Sequence, residues 1–190
     1  MGLTIGIPSA EAVTQAEAKA QLRLTTDDEN LIVDRCITAA GNYVEGFTAR
    51  SLVNRTNVWT MDSFPLSTIL DVPRPPLVSV TTLKYIDEAG DQQTWNASNY
   101  TLDTTSTPGR IATAYNVEWP SIRDVIDAVE ITYVAGYGAT ADTVDDILRT
   151  CVLMYVVDLF EHRGSQTEIK VTPNDAIDTL MRMKMVPEIR

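Results

Sequence analysis

The sequence predicts an α+β protein: a helical core built from both chain ends, with a small antiparallel β segment inserted between its second and third helices. Three observations predict it. Apolar residues at helical spacing fill 14–50 and return after residue 139. Short β-branched and aromatic runs bounded by turn residues occupy 51–138. The two kinds of segment are segregated rather than alternating, which argues against a parallel α/β sheet. At 190 residues the chain has room for one ordinary domain, or a core with one insertion.

Residues 1–13, punctuated by Gly2, Gly6 and Pro8, read as a loose arm. Thr14-Gln15-Ala16-Glu17 has capping-box spacing and opens a short helix to about Leu22. Thr26-Asp27-Asp28-Glu29 repeats the spacing, and its three consecutive acids suit the positive end of a helix dipole. The helix it opens runs to about Thr48, with Leu31, Ile32, Cys36, Ile37, Ala40, Tyr43, Val44 and Phe47 on a 3- to 4-residue period. From Ser51 the period changes. A strand is expected around Val58 and Thr60, then short strands over 69–72, 79–87, 92–95, 100–103, 110–113 and 128–134. Pro73-Arg74-Pro75-Pro76 cannot supply ladder donors and belongs at an edge or in a connection. Residues 88–91 read as a hairpin turn. After Gly136-Tyr137-Gly138, Thr140, Asp142 or Thr143 is the expected cap of a helix whose residues 147–160 are apolar nearly all round. A helix of that kind needs burial in protein. Gly164 is its expected stop. Pro173 or Asn174 opens a last short helix with Ile177, Leu180, Met181 and Met183 to Met185 on its apolar positions.

Composition excludes several classes. The 26 acids against 15 bases give −11 at pH 7, which repels phosphates, so a free-standing nucleic-acid binder is not expected. No apolar run reaches the length of a membrane span. The first residues carry neither the basic nor the apolar region of a secretory signal, so a soluble, reducing compartment is expected. Cys36 and Cys151 stand inside apolar patterns and read as small buried hydrophobes rather than a disulfide framework.

The search for chemistry predicts no enzyme, no metal and no cofactor. No phosphate-loop or dinucleotide motif is present, and the glycine pair at 136 and 138 precedes an acidic helix start that would repel an anion. His162 is the only histidine, and Glu161-His162-Arg163 closes a helix, where His and Arg meet the last carbonyls. One His and two distant Cys do not build a zinc site. Asp142, Asp145 and Asp146 lack EF-hand spacing and read as a helix start. Trp59, Trp95 and Trp119 fit sheet packing, with a sugar platform as the alternative. Charge is more telling: residues 181–190 carry +2, from Arg182, Lys184 and Arg190 against Glu188, on a body of −13. A weakly basic, Met-rich tail on an acidic body suits docking on an acidic partner; the alternative is a helix that packs on its own core.

The order of motifs over 13–187 resembles the head–tail connector, or adaptor, proteins of tailed phages and gene transfer agents, in the family with a β insertion in the helical connector core. The pieces are residues 13–24, then Asp27-Asp28-Glu29 before Leu31-Ile32, Ala39-Ala40 with Tyr43-Val44-Glu45, and Thr48-Ala49-Arg50-Ser51-Leu52. Pro75-Pro76-Leu77-Val78-Ser79-Val80, Tyr85-Ile86-Asp87, Gly90 and Trp119-Pro120 follow. Ile131-Thr132-Tyr133-Val134-Ala135-Gly136-Tyr137-Gly138 and Leu159-Phe160-Glu161-His162-Arg163 complete the series, though relatives often carry an aromatic where His162 stands. The resemblance implies a virion structural protein made in the bacterial cytoplasm and housed in the neck. Such proteins form a ring, typically twelve-fold, under the portal protein. They extend the channel through which DNA passes without sequence-specific binding, and dock the stopper or tail-side neck protein. A stopper or tail-completion role in the same particle is the alternative. The residue pattern divides the chain into an arm (1–13), a connector core (14–50 and 139–190) and a β subdomain (51–138), and the resemblance fits that division. The resemblance places portal contact on the C-terminal arm: Ile177, Leu180, Met181, Arg182, Met183, Lys184, Met185, Ile189 and Arg190. The apolar helix, with Ile147, Cys151, Met154, Tyr155, Leu159 and His162, is the expected ring core and subunit interface. No membrane partner is implied.

Overall fold

The computed structural model describes residues 1–162 and 175–186. These form two compact units. The β unit joins Met1–Pro8 to Asn54–Gly136, and the helical unit joins Ser9–Val53 to the described residues from Tyr137 onward.

The β unit has eight strands: β1 Gly2–Thr4, β2 Arg55–Met61, β3 Ile69–Asp71, β4 Leu77–Ile86, β5 Gln92–Thr94, β6 Tyr100–Asp103, β7 Arg110–Thr113 and β8 Val129–Ala135. They pair antiparallel in two sheets, ordered β1-β2-β8-β4-β5 and β3-β7-β6. Strict alternation sets the inward face. In β2 and β8 every second residue is buried, pairing Trp59 with Ile131 and Met61 with Val129. These meet Leu70, Tyr100 and Ile111 of the smaller sheet in one core. The hairpin at 88–91 is closed by Asp87, whose Oδ1 accepts from the N–H groups of Gly90 (3.0 Å) and Asp91 (2.9 Å). The tryptophans pack inward. Trp59 and Trp95 are buried, and Trp119 stacks on Phe64 (4.7 Å, 8°) while its Nε1 donates to the Ser67 carbonyl. That geometry is sheet packing, the reading expected for the three tryptophans.

The helical unit contains α1 Gln15–Leu22, α2 Asn30–Thr48, α3 Asp146–Glu161 and α4 Asp175–Lys184. The first capping box forms: the Glu17 N–H donates to Thr14 Oγ1 (3.2 Å), and the Thr14 N–H donates to Glu17 Oε2 (2.8 Å). The apolar stripe of α2 faces α3 through Val33, Ile37, Ala40 and Val44. Cys36 and Cys151 are both buried in this core and form no disulfide with each other.

Three expectations are corrected. Residues 1–13 are not one loose arm: Gly2–Thr4 pairs with β2, while Ala12 and Val13 are buried in the helical core. The second capping box does not form. Asp27 instead takes Lys19 Nζ (2.6 Å) and Asn30 Nδ2 (3.2 Å), so 27–29 becomes a turn and α2 starts without a side-chain cap. The cap of α3 is Asp145, whose Oδ1 accepts from the Ile147 N–H (3.1 Å), because a short 3-10 turn occupies Ala141–Thr143. Gly164, Pro173 and Asn174 lie outside the described residues.

Gly109, just before β7, is wedged against Leu77. A β-carbon there would fall far inside van der Waals contact with Leu77 Cβ, the root of that side chain, where no rotamer change relieves it. Gly109→Ala is therefore expected to destabilise the β unit by about 1–3 kcal/mol, read as a lower midpoint in urea with an unchanged slope.

Candidate functional site

Helix α4 is amphipathic because Ile177 and Met181 are four residues apart and so share a face. Both are buried, at 3% and 0% exposed, in the core they share with α2 and α3, and half-buried Leu180 packs beside them. These three residues of the expected docking set therefore serve the chain's own core. The register of the helix leaves Arg182 and Met183 outward, and Met185, just past its end, is also open to solvent, with Met183 69% and Met185 54% exposed. Ile189 and Arg190 lie outside the described residues.

The end of α4 is latched in place. Arg50 Nε donates to the Lys184 carbonyl (2.6 Å), and the Val186 N–H donates to the Thr48 carbonyl (3.0 Å). Lys184 Nζ reaches Asp145 Oδ2 at 2.7 Å. One carboxylate thus does two jobs, since Asp145 Oδ1 caps α3 while Oδ2 holds Lys184. Partial burial pushes the Asp145 pKa up, but Lys184 and the N–H groups of Leu148 and Ile147 outweigh it, and the carboxyl lies below the usual aspartate range. Lys184 is therefore an anchor within the chain rather than a free docking cation.

Helix α3 is fully buried on one arc only. Leu148, Cys151, Val152, Val156 and Phe160 face inward, while Ile147, Leu153, Met154, Val157 and Leu159 stay half exposed. Tyr155 stacks on Tyr43 at 4.2 Å and 8°. His162 is exposed at the helix end, its Nδ1 3.0 Å from the Asp158 carbonyl oxygen. All-round apolar composition thus does not give full burial all round: Ile147, Leu153, Met154 and Leu159 pack against the core but stay only partly buried.

A groove of about 540 Å³ opens between α1, the early turns of α2 and the start of α3. Val13, Ile37 and Ala141 form its apolar floor. Glu11, Glu17, Asp34 and Asp142 line it against one cation, Arg149. Arg149 is already engaged, with Glu17 and with Asp146 (3.6 Å). Glu11 and Asp34 have neutral partners, the Thr38 hydroxyl (2.7 Å) and the Gln15 amide (2.7 Å). Hydrogen bonds from Thr14, aided by Arg149, hold the Glu17 carboxyl below its usual range against partial burial. The groove's four carboxyl groups thus outnumber its one cation. Its acids come from separate elements, so no local sequence pattern announces it. Among the described residues, no group of three His, Cys, Asp or Glu is disposed to hold a metal ion, and no helix is long and apolar enough to cross a membrane.

The fold is shared over the whole chain with components of gene transfer agent (GTA) particles. A chain in the neck of an empty GTA particle computed with C6 symmetry aligns with a TM-score of 0.82 at 22% identity, over 100% of this chain and 98% of that one. A chain in the virion of a native GTA particle gives 0.80 at 23%, with the same coverage. A chain in the neck of a native GTA particle computed with C12 symmetry gives 0.73 at 21%, again over 100% and 98%. No protein-family model and no curated protein matches the sequence.

Two outcomes follow from the α4 geometry. Met181→Asp is expected to destabilise the helical unit by about 3 kcal/mol or more, since it places an unpaired charge in a closed core. Met183→Asp should stay within about 0.5 kcal/mol of wild type; urea unfolding of the two variants checks the contrast. The Asp145 latch adds a pH dependence. Its carboxyl has a depressed folded-state pKa, so its contribution is complete above the usual aspartate range and is lost as pH falls through the folded value. Asp145→Asn should be less stable than wild type at neutral pH, with the gap closing below about pH 4, as thermal melts across an acid series would read.

Proposed function

We propose that this chain is a structural component of the neck of a phage-like particle, acting as an adaptor ring beneath the portal. One observation carries the reading: both units, over the full chain, have the fold of GTA neck chains. The C6 and C12 symmetries of those necks support a ring whose copy number is a multiple of six, with twelve as the expected count. The role is architectural rather than catalytic. The one histidine of the chain closes a helix.

Surface chemistry supports assembly. The outer arc of α3 leaves Ile147, Leu153, Met154 and Val157 partly open, and a neighbouring copy would complete their burial. The acidic balance suits a conduit that DNA passes without adhering, since a Lys- and Arg-rich wall would release counterions and bind. On this reading the ring meets the portal on one side and a stopper or tail-side protein on the other. The outward end of α4 is a docking face for another neck subunit.

The test is to mix the purified chain with the portal protein of the same genome and weigh the products by native mass spectrometry. A stoichiometric ring on the portal is expected. Val157→Glu should give a protein that folds normally but forms no ring. A wild-type chain that binds tail components and ignores the portal would move the assignment to a stopper or tail-completion protein.

A further inference from the structure

We infer that the outward end of α4 in one copy seats in the acidic groove of the next copy, so that consecutive subunits join knob to hole. The inference rests on the ring reading above and names the occupant of its docking face. The knob is Arg182 flanked by exposed Met183 and Met185; Arg182 has no ion pair among the described residues. The hole has an apolar floor for the thioethers, and at its rim Glu11, Asp34 and Asp142 carry charge that Arg149 does not balance. The two surfaces are complementary in both polarity and sign.

The contact must be made between copies. Among the described residues none of α4 lines the groove. The helix cannot swing into its own groove while Lys184, Arg50 and Val186 latch its end. That latch also presents the knob already ordered, which lowers the entropy cost of docking. Knob and hole are different surfaces of one compact unit, so the contact is heterologous. Repeating it propagates head to tail, and it yields a closed ring when the rotation closes.

The experiment uses the full chain, alone and assembled on the portal. Arg182→Glu and Asp34→Lys should each weaken self-association by about tenfold or more, measured by sedimentation over a concentration series at low and high salt. The double variant should recover to within about threefold of wild type, because the pair is restored with its signs exchanged. Met183→Cys mixed with Thr38→Cys should give a disulfide-linked dimer, in solution or on the portal. All the altered residues are exposed, so unchanged melting curves verify the fold. Association indifferent to both reversals, or no cross-link in any assembly, overturns the inference. Portal binding abolished by Arg182→Glu and not recovered with Asp34→Lys gives the α4 face to the portal; that overturns the knob-to-hole contact and leaves the neck reading standing. A wild-type chain that neither self-associates nor binds the portal takes both readings down.

Discussion

The packing of α2 on α3 is the constraint on which the rest of the molecule depends. Val33, Ile37, Ala40 and Val44 of α2 share one core with Leu148, Val152 and Val156 of α3, and α1 and α4 pack on that pair. The two helices are separated in sequence by the whole β segment, so the helical core closes only if the chain returns to its starting point. The β unit makes that return: its entry and exit strands are cross-strand partners, with Arg55 opposite Ala135. On the helical side the Tyr137 N–H donates to the Leu52 carbonyl (3.2 Å). An insertion whose ends are already neighbours adds little loop-closure entropy to the helix pair. This is why a β unit with its own core can be hosted in the middle of a helical one.

The charged groups follow a consistent division. Glu17 completes a helix cap and also receives Arg149, so the start of α1 is pinned to α3. Asp145 caps α3 and receives Lys184, so the end of α4 is pinned to the same helix. In both cases one carboxylate satisfies helix-terminal N–H groups and a cation from another element. Partly exposed pairs of this kind contribute modestly to stability. Their larger effect is geometric, because they set where each helix ends and hence which residues of α4 face outward.

Much of the fold was legible because it rests on local chemistry. The Thr14–Glu17 box, the β-branched runs and the turn at Asp87 each carry their structural cause within a few residues. What was not legible depended on distant partners. Thr26–Glu29 has the same spacing as the working box, yet Lys19 captures Asp27 from another turn of chain. Gly2–Thr4 is too short for a periodic signal and is a strand only because β2 offers it an edge. In Met181-Arg182-Met183-Lys184-Met185 methionines alternate with cations, a pattern with no helical preference, and only the register set by Ile177 assigns Met181 to the core and Met183 to the surface. The uniformly apolar α3 likewise has no periodicity from which to read its inner face. The groove was the least legible feature, since Glu11, Asp34 and Asp142 meet only through the tertiary fold.

The acidic balance then acquires a structural meaning. With 26 acids and 15 bases, most surfaces of two copies repel each other on approach. Several of the bases are already engaged within the chain, Lys19 with Asp27, Lys84 with Glu130, Arg110 with Asp103, Arg149 with Glu17 and Lys184 with Asp145. An exposed cation flanked by apolar side chains, such as Arg182, is then distinctive against a negative background. At physiological salt the background is screened beyond about 8 Å, so repulsion acts mainly on close, wrongly oriented encounters. Like-charge contacts penalise the wrong registers, and an Arg in an acidic, apolar-floored groove favours one. In the proposed assembly, net acidity with a few well-placed cations disfavours random association and favours a single register.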